Sequence, residues 1–255
     1  MIAAFNLVST LATALLQAAV AEPGDSAKAM NCNSDFSVPF VVGERLTYDA
    51  YFGPLKAGEG TMEVLGREDV RGVDTWHTRF QIKGGIPIYR VDTMLESWIS
   101  TSCFHSMRFI QDQDVGQGER LRRIEIYPER GVYRENEKPE VPTVSDPLDD
   151  GSFFYFVRTI DLEPGKTYSF DRYFRPDRNP VIIKVLRRDR VRVPAGTFNA
   201  IVVQPIIKSR GIFSEDGEAQ IWFSDDADRI MLQMKTRLKF GSLNLYLKSR
   251  PKKKS

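Results

Sequence analysis

From residue 45 to residue 247 the chain is written in short runs of alternating apolar and polar side chains, separated by turns rich in glycine, proline and aspartate. Leu46, Tyr48, Ala50 and Phe52 alternate with Arg45, Thr47, Asp49 and Tyr51, and Trp76, Thr78, Phe80 and Ile82 alternate with Thr75, His77, Arg79 and Gln81. Successive side chains of an extended strand point to opposite faces, so a period of two describes strands with one covered face. No long helical pattern alternates with these runs, which argues against a doubly wound parallel sheet. Gly58 and Gly60 share one face of the run 57–65, where missing side chains mark bending or close backbone approach. The pattern predicts an all-β fold: an antiparallel, strongly curved sheet or partly closed barrel with one short buried helix.

The helix belongs to 145–165, where the alternation stops. Asp149 or Asp150 can accept from the free N–H groups of a first turn, and Pro147 keeps upstream residues out of the helix. Phe153, Phe154, Phe156, Val157 and Ile160 cover most of the circumference, so the segment is expected to be buried. Pro164-Gly165 ends it. Such a helix is either a core plug or one wall of an apolar ligand cavity. In the second case the lining candidates are Tyr48, Phe153, Phe154, Val157, Arg158 and Trp222. A buried Arg158 needs a carboxylate such as Asp149 or Glu44; a cavity-lining Arg158 would hold an acidic headgroup.

Residues 1–21 carry no charged side chain and end in Ala19-Val20-Ala21, which reads as a secretory signal cleaved after Ala21. The missing Lys or Arg in the n-region departs from that pattern, and an uncleaved anchor of about 20 residues is the alternative. After cleavage no transmembrane span is expected. Residues 22–37 form a loose leader, 38–247 a single β domain and 248–255 a basic disordered tail, suited to anionic lipid, to acidic polymer or simply to solubility. The net charge of +2 provides no field for nucleic acid. The two cysteines, Cys32 and Cys103, are permitted to form a disulfide in an exported chain. A periplasmic or otherwise exported location follows.

The chemistry-bearing residues do not assemble into a catalytic constellation, and neither a metal nor a cofactor is expected. His77 and His105 are the only histidines, and the acids that would have to join them, Asp92 and Glu96, are scattered. His105 lies two residues from Cys103, a poor spacing for a nucleophile and its base. Asp225, Asp226 and Asp228 lack the spacing of a calcium loop and read as a turn. The run 187–190 is too charged for a covered strand and is expected to cross open surface or bend over an edge.

Several motifs together resemble one family. Val38-Pro39-Phe40-x-Val42-Gly43-Glu44-x-Leu46-x-Tyr48 with Phe52-Gly53-x-x-x-Ala57-Gly58 is similar to the start of the exported bacterial domain of unknown function 3108 (DUF3108). Asp146-Pro147, Phe154-Tyr155-Phe156-x-Arg158, Pro194-Ala195-Gly196-Thr197-Phe198-x-Ala200 and Ile221-Trp222-Phe223-Ser224-Asp225-Asp226 resemble its later segments. The resemblance implies an envelope β domain, loosely like lipoprotein carriers with a half-open barrel and an internal helix, and it carries no established activity. Combined with the aromatic helix, it leads to an expectation of non-catalytic binding or carriage of a lipidic or amphiphilic ligand. A structural or protein-interaction module with a solid core is the alternative, and a hydrolase is a third.

Overall fold

The computed structural model describes residues 37–86, 89–115, 118–208, 219–237 and 241–250. The expected signal segment, Cys32 and residues 251–255 of the tail lie outside them. Among the described residues the alternating runs form fourteen strands. The first eight are β1 (Arg45–Phe52), β2 (Leu55–Val70), β3 (Val73–Ile86), β4 (Tyr89–Ser100), β5 (Ser106–Val115), β6 (Gly118–Tyr127), β7 (Val132–Glu135) and β8 (Val141–Pro142). Then come the helix α1 (Ser152–Phe156) and a tight helical turn (Val157–Thr159). The remainder are β9 (Thr167–Phe170), β10 (Val181–Val193), β11 (Gly196–Ile206), β12 (Gln220–Ser224), β13 (Met231–Arg237) and β14 (Ser242–Ser249).

All fourteen lie in one sheet, ordered β8-β7-β6-β5-β4-β3-β2-β1-β14-β13-β12-β11-β10-β9, and all its strand pairings are antiparallel. Each neighbour in that order is also a neighbour in sequence, except β1 and β14. Two meanders, β1–β8 and β9–β14, are therefore joined along their first and last strands. Tyr48 sits opposite Leu247 and Ala50 opposite Leu245 in that seam. The link between β8 and β9 carries α1, so the free edges of the sheet flank the helix. A parallel bridge, Leu148 to Tyr173, ties these edges without closing the barrel. The Leu148 N–H donates to Arg172 O at 2.5 Å and the Phe174 N–H to Leu148 O at 2.9 Å.

The apolar faces of both meanders turn onto the helix. Phe40 packs against Trp76 and Tyr155 with ring centroids 5.4 and 5.1 Å apart, and Phe154 stacks on Phe80 at 4.8 Å. No described helix is long and apolar enough to cross a membrane.

The two glycines of β2 are separated in role by the structure. Gly58 faces Gly84 of β3 in register, and a Cβ on Gly58 would lie 2.0 Å from Lys83 O; one on Gly84 would lie 2.2 Å from Ala57 O. This is the close backbone approach that two facing glycines permit. Gly60 has ordinary clearance, with Leu245 at 3.4 Å. Bulges in β1–β2 and β2–β3 supply the bending.

Several bounds differ from expectation. The helix is five residues long and does not run to the expected stop at Pro164-Gly165: it tightens over Val157–Thr159, where Thr159 Oγ1 donates to Phe156 O at 2.8 Å, and Ile160 is already extended. The turn expected at 68–72 contracts to Arg71 and Gly72, at φ 55° and 80°, the positive pair that a two-residue hairpin requires. β2 continues to Val70 because Val70 packs with Trp98 and Met107 in a second apolar cluster. The strand expected at 167–174 stops at Phe170, and Arg172, Tyr173 and Phe174 turn into the core. The basic tail begins later than residue 248: Lys248 and Ser249 belong to β14, where Ser249 pairs with Thr47 and Lys248 Nζ reaches Glu59 at 2.5 Å. β10 has the expected bounds; β9 covers only Val181 to Lys184, so exposed Arg187, Arg188 and Arg190 follow an uncovered edge past a bulge.

Gly58→Ala is expected to destabilise the protein by about 3 kcal/mol or more, since the obstructing atoms are backbone. Gly66→Ala, which meets nothing within 4 Å, should stay within about 0.5 kcal/mol. Urea unfolding of both variants measures the difference.

Candidate functional site

Asp149 captures the start of α1. Its Oδ1 accepts from the N–H groups of Gly151 and Ser152 at 2.8 and 2.9 Å, and from Ser97 Oγ at 2.6 Å. The Asp149 N–H donates to Ser106 Oγ at 3.2 Å and Ser152 Oγ at 2.8 Å, and the Ser106 and Ser152 hydroxyls lie 3.1 Å apart. Two strand serines thus complete a cap that the helix sequence alone does not reveal. Burial raises the Asp149 carboxyl from 3.8 to about 6, while the Ser106 and Ser97 hydrogen bonds oppose it. Oδ2 has no hydrogen-bond partner among the described residues, consistent with a carboxyl that holds its proton to higher pH.

Arg158, in the turn after α1, is 2 % exposed. Its Nη1 and Nη2 donate to the two Glu44 oxygens at 2.6 and 2.9 Å. Nη2 also donates to Pro39 O at 3.0 Å and Asp228 O at 2.9 Å. Of the two carboxylates the sequence offered, Glu44 is the partner. The planar guanidinium joins the segment before β1, the helix and the β12–β13 turn. Its donors are already committed to protein oxygens.

A half-open apolar cleft runs beside the helix, and its volume is about 30 Å³. Phe153, Phe154 and Val157 form one wall, with Asp150 among them. Val181 and Ile183 of β10, Pro205 of β11, Ile207, and Ile221 and Phe223 of β12 form the other. Three of the six lining candidates are brought together here. Tyr48, Arg158 and Trp222 are not part of the lining. Tyr48 is fully buried in β1 and donates its hydroxyl to Met231 O at 3.0 Å. Trp222 lies between Ile221 and Phe223, so the period of two sends its ring to the opposite face, where Nε1 donates to Asp189 Oδ2 at 2.9 Å.

A second buried arginine escaped sequence reasoning. Arg172 Nε donates to Asp146 O at 2.8 Å and Nη2 to Phe104 O at 2.7 Å, and its guanidinium lies 4.8 Å from the Phe156 ring centre. Burial lowers its pKa to about 10. The available signal was a charge inside the run Arg172-Tyr173-Phe174.

Of the other chemistry-bearing residues, His77 meets an acid on each side, with Nε2 3.4 Å from Glu96 Oε1. His77 Nδ1 lies 2.8 Å from Glu68 Oε1 and its ring stacks on Trp98 at 4.2 Å. His105 is lowered by burial, partly offset by Asp146. Cys103 is disulfide-bonded and so offers no thiol to His105; the other cysteine of the chain, Cys32, lies outside the described residues. Asp226 Oδ1 accepts from Ser224 Oγ at 2.6 Å and the Asp228 N–H at 3.1 Å, which makes the aspartate cluster a turn. A larger groove of about 400 Å³ lies over β3–β5 on the face opposite Phe80 and Ile82, with Asp92, Asp112 and Asp114 among its walls. Lys83 and Arg90 approach Asp92 and Asp114 at 3.8 and 3.7 Å, the mixed charge of a solvated face. No cluster of three or more metal-ligating side chains exists among the described residues.

An antiparallel sheet that curves around a short buried helix, with a narrow apolar cleft between them, defines a barrel-like β protein. The chain belongs to DUF3108, a family of proteins of unknown function, which it matches over residues 47–248. No curated protein matches the chain. Among solved structures it is similar to a beta-barrel-like protein of the domain of unknown function DUF1849 from Brucella abortus, at 11 % identity and a TM-score of 0.51, covering 84 % of this chain and 98 % of that one. At that identity the likeness is one of fold. A candidate lipoprotein from Parabacteroides distasonis matches at 11 % identity and TM-score 0.38, over 85 % of this chain and all of that one (100 %). A candidate exported protein with a YmcC-like fold from Bacteroides fragilis matches at 12 % and 0.37, over 85 % and 99 %.

Glu44→Gln, which strands the buried Arg158 charge, is expected to cost about 3–5 kcal/mol, and the double change Glu44→Leu with Arg158→Met to recover part of that loss, both read by urea unfolding. Asp149 is raised in the folded state, so its contribution to stability is full below pH about 3.8 and is lost as pH rises through about 6. The shift of about two units amounts to roughly 3 kcal/mol. Asp149→Asn should shrink the change in unfolding free energy between pH 4 and pH 7.5 by about that much.

Proposed function

We propose that this is an exported envelope protein that binds the apolar end of a small amphiphile in the cleft between α1 and β10–β12, without chemistry on it. The observation that carries this reading is the lining: nine of its ten residues are apolar, two of them from α1 and a third, Val157, from the turn after it. The volume sets the scale. Sites that enclose a drug-sized ligand hold about 300–1,000 Å³. A cleft of about 30 Å³ takes the end of a chain and leaves the rest of the molecule outside. Enclosure of a whole lipid, as in a carrier with an open barrel, finds no support in this geometry. Arg158 does not serve an acidic headgroup in this reading, because Glu44 and two carbonyl oxygens take its donors.

Export is supported by the apolar stretch ending in Ala19-Val20-Ala21 and by the disulfide at Cys103, a bond that persists in oxidising compartments. A second reading, an interaction module with a solid core, is favoured by the same small volume: the helix fills most of the space between the two meanders.

Native mass spectrometry of protein purified from the periplasm of its own host, with organic extraction of the sample, separates the two. A bound amphiphile, with affinity reduced at least tenfold by Val157→Phe, is the expected result. A protein of clean apo mass that also takes up no added octyl-chain amphiphile would establish the solid interaction module instead.

A further inference from the structure

From Arg187 to Val193 one edge of β10 pairs with no strand among the described residues, because β9 covers only Val181 to Lys184. Arg187, Arg188, Arg190 and Arg192 are exposed along it. Two of them are answered by acids: Arg187 lies 3.5 Å from Asp189, and Arg188 Nε lies 3.0 Å from Asp225, which has Arg229 at 3.9 Å. Asp226 and Asp228 share the turn with Asp225, and Asp226 Oδ1 accepts the N–H groups of Asp228 and Arg229 at 3.1 and 3.2 Å. Arg190 and Arg192 make no ion pair among the described residues. The end of β14 brings a further cation to the same place. The Ala195 N–H, at the tip of the β10–β11 hairpin, donates to Leu247 O at 3.0 Å, and the exposed Arg250 guanidinium stands 5.4 Å from the Phe198 ring centre. Phe198 is opposite Val191, whose neighbours are Arg190 and Arg192. The sequence then continues through Lys252, Lys253 and Lys254. Two distant segments thus present one basic surface, where arginines outnumber the carboxylates Asp189, Asp225, Asp226 and Asp228 before those lysines are counted.

We infer that this surface docks the protein on an anionic lipid membrane. The inference goes beyond the cleft and does not depend on it. An open strand edge also offers itself to an acidic extended chain, but this edge is blunted. A bulge follows Val185, and Asp189 Oδ1 takes the Arg190 N–H at 2.8 Å, so a main-chain ladder along the run is interrupted. A second copy paired here would set the same arginines against one another. A lipid surface asks for charge and not for register, and long exposed side chains meet its headgroups without leaving water. Each cation near such a surface strengthens binding about fivefold, an attraction that salt screens.

The test is sedimentation of the full exported protein with vesicles of phosphatidylglycerol and phosphatidylcholine, and with vesicles of phosphatidylcholine alone. Binding is expected only to the anionic vesicles, and is expected to fall at least about tenfold between roughly 0.05 M and 0.5 M salt. Arg190→Ser with Arg192→Ser should weaken it at least about tenfold, and so should serine at Lys252, Lys253 and Lys254. The same loss of charge on β6, Arg120→Ser with Arg123→Ser, should change it less than about threefold. All the described residues substituted are exposed, so these variants should unfold at the urea concentration of the unaltered protein. Equal binding to neutral vesicles, or none to anionic vesicles at low salt, overturns the inference. Loss of binding with the three lysines but not with Arg190 and Arg192 also overturns it, leaving the tail as a separate contact. Tighter binding of polyglutamate than of the anionic vesicles overturns the lipid assignment in favour of an acidic chain.

Discussion

The pairing of β1 with β14 is the constraint on which the rest of the molecule depends. Each meander is built from hairpins that form between sequence neighbours. Their union requires residues about two hundred positions apart to meet in register, Tyr48 against Leu247 and Ala50 against Leu245. Loop closure of that length costs only a slowly growing entropy, but it is met before the contacts are gained, so the seam is a slow, late kind of contact. Once made, it removes two edges whose inward residues, Leu46, Tyr48, Leu245 and Leu247, would otherwise meet water. It also leaves the two remaining edges, β8 and β9, at the two ends of the segment that carries the helix.

Buried charge gives this arrangement its specificity. An apolar helix against an apolar sheet face can slide at little cost. Arg158, Arg172 and Asp149 cannot, because each satisfies groups from separate parts of the chain. Arg158 binds oxygens of Pro39, Glu44 and Asp228; Arg172 binds those of Phe104 and Asp146; Asp149 binds Ser97 and the first turn of α1. Displacement of the helix would strand a charge or a strong acceptor in the core, a cost greater than the hydrogen bonds themselves contribute. The helix is thus both plug and keystone, and the cleft is the narrow gap between it and β10–β12 of the second meander.

That division decides which aromatic residues line the cleft. Tyr48 and Trp222 are conspicuous in the sequence and spend their polar atoms on Met231 and Asp189. The wall facing the helix is formed instead by Val181, Ile183, Pro205, Ile207, Ile221 and Phe223. Asp150, read in the sequence as one of two helix caps, leaves that role to Asp149 and accepts instead from the Tyr173 hydroxyl at 3.0 Å.

The amino-acid sequence by itself determined the strand content, the antiparallel class, the position of the single helix and the family. Those rest on local physics: a period of two, turn residues with special backbone angles, and a segment apolar on all sides. It also indicated that Arg158 needed a carboxylate and named Glu44 as one of two. The tertiary structure alone decided that β1 meets β14, that Gly58 faces Gly84, that Arg172, Tyr173 and Phe174 turn inward rather than extend a strand, and that a cleft of about 30 Å³ stays open beside the helix. Each of these is set by how distant segments share volume and saturate one another's polar groups, and neither is expressed in the order of neighbouring residues.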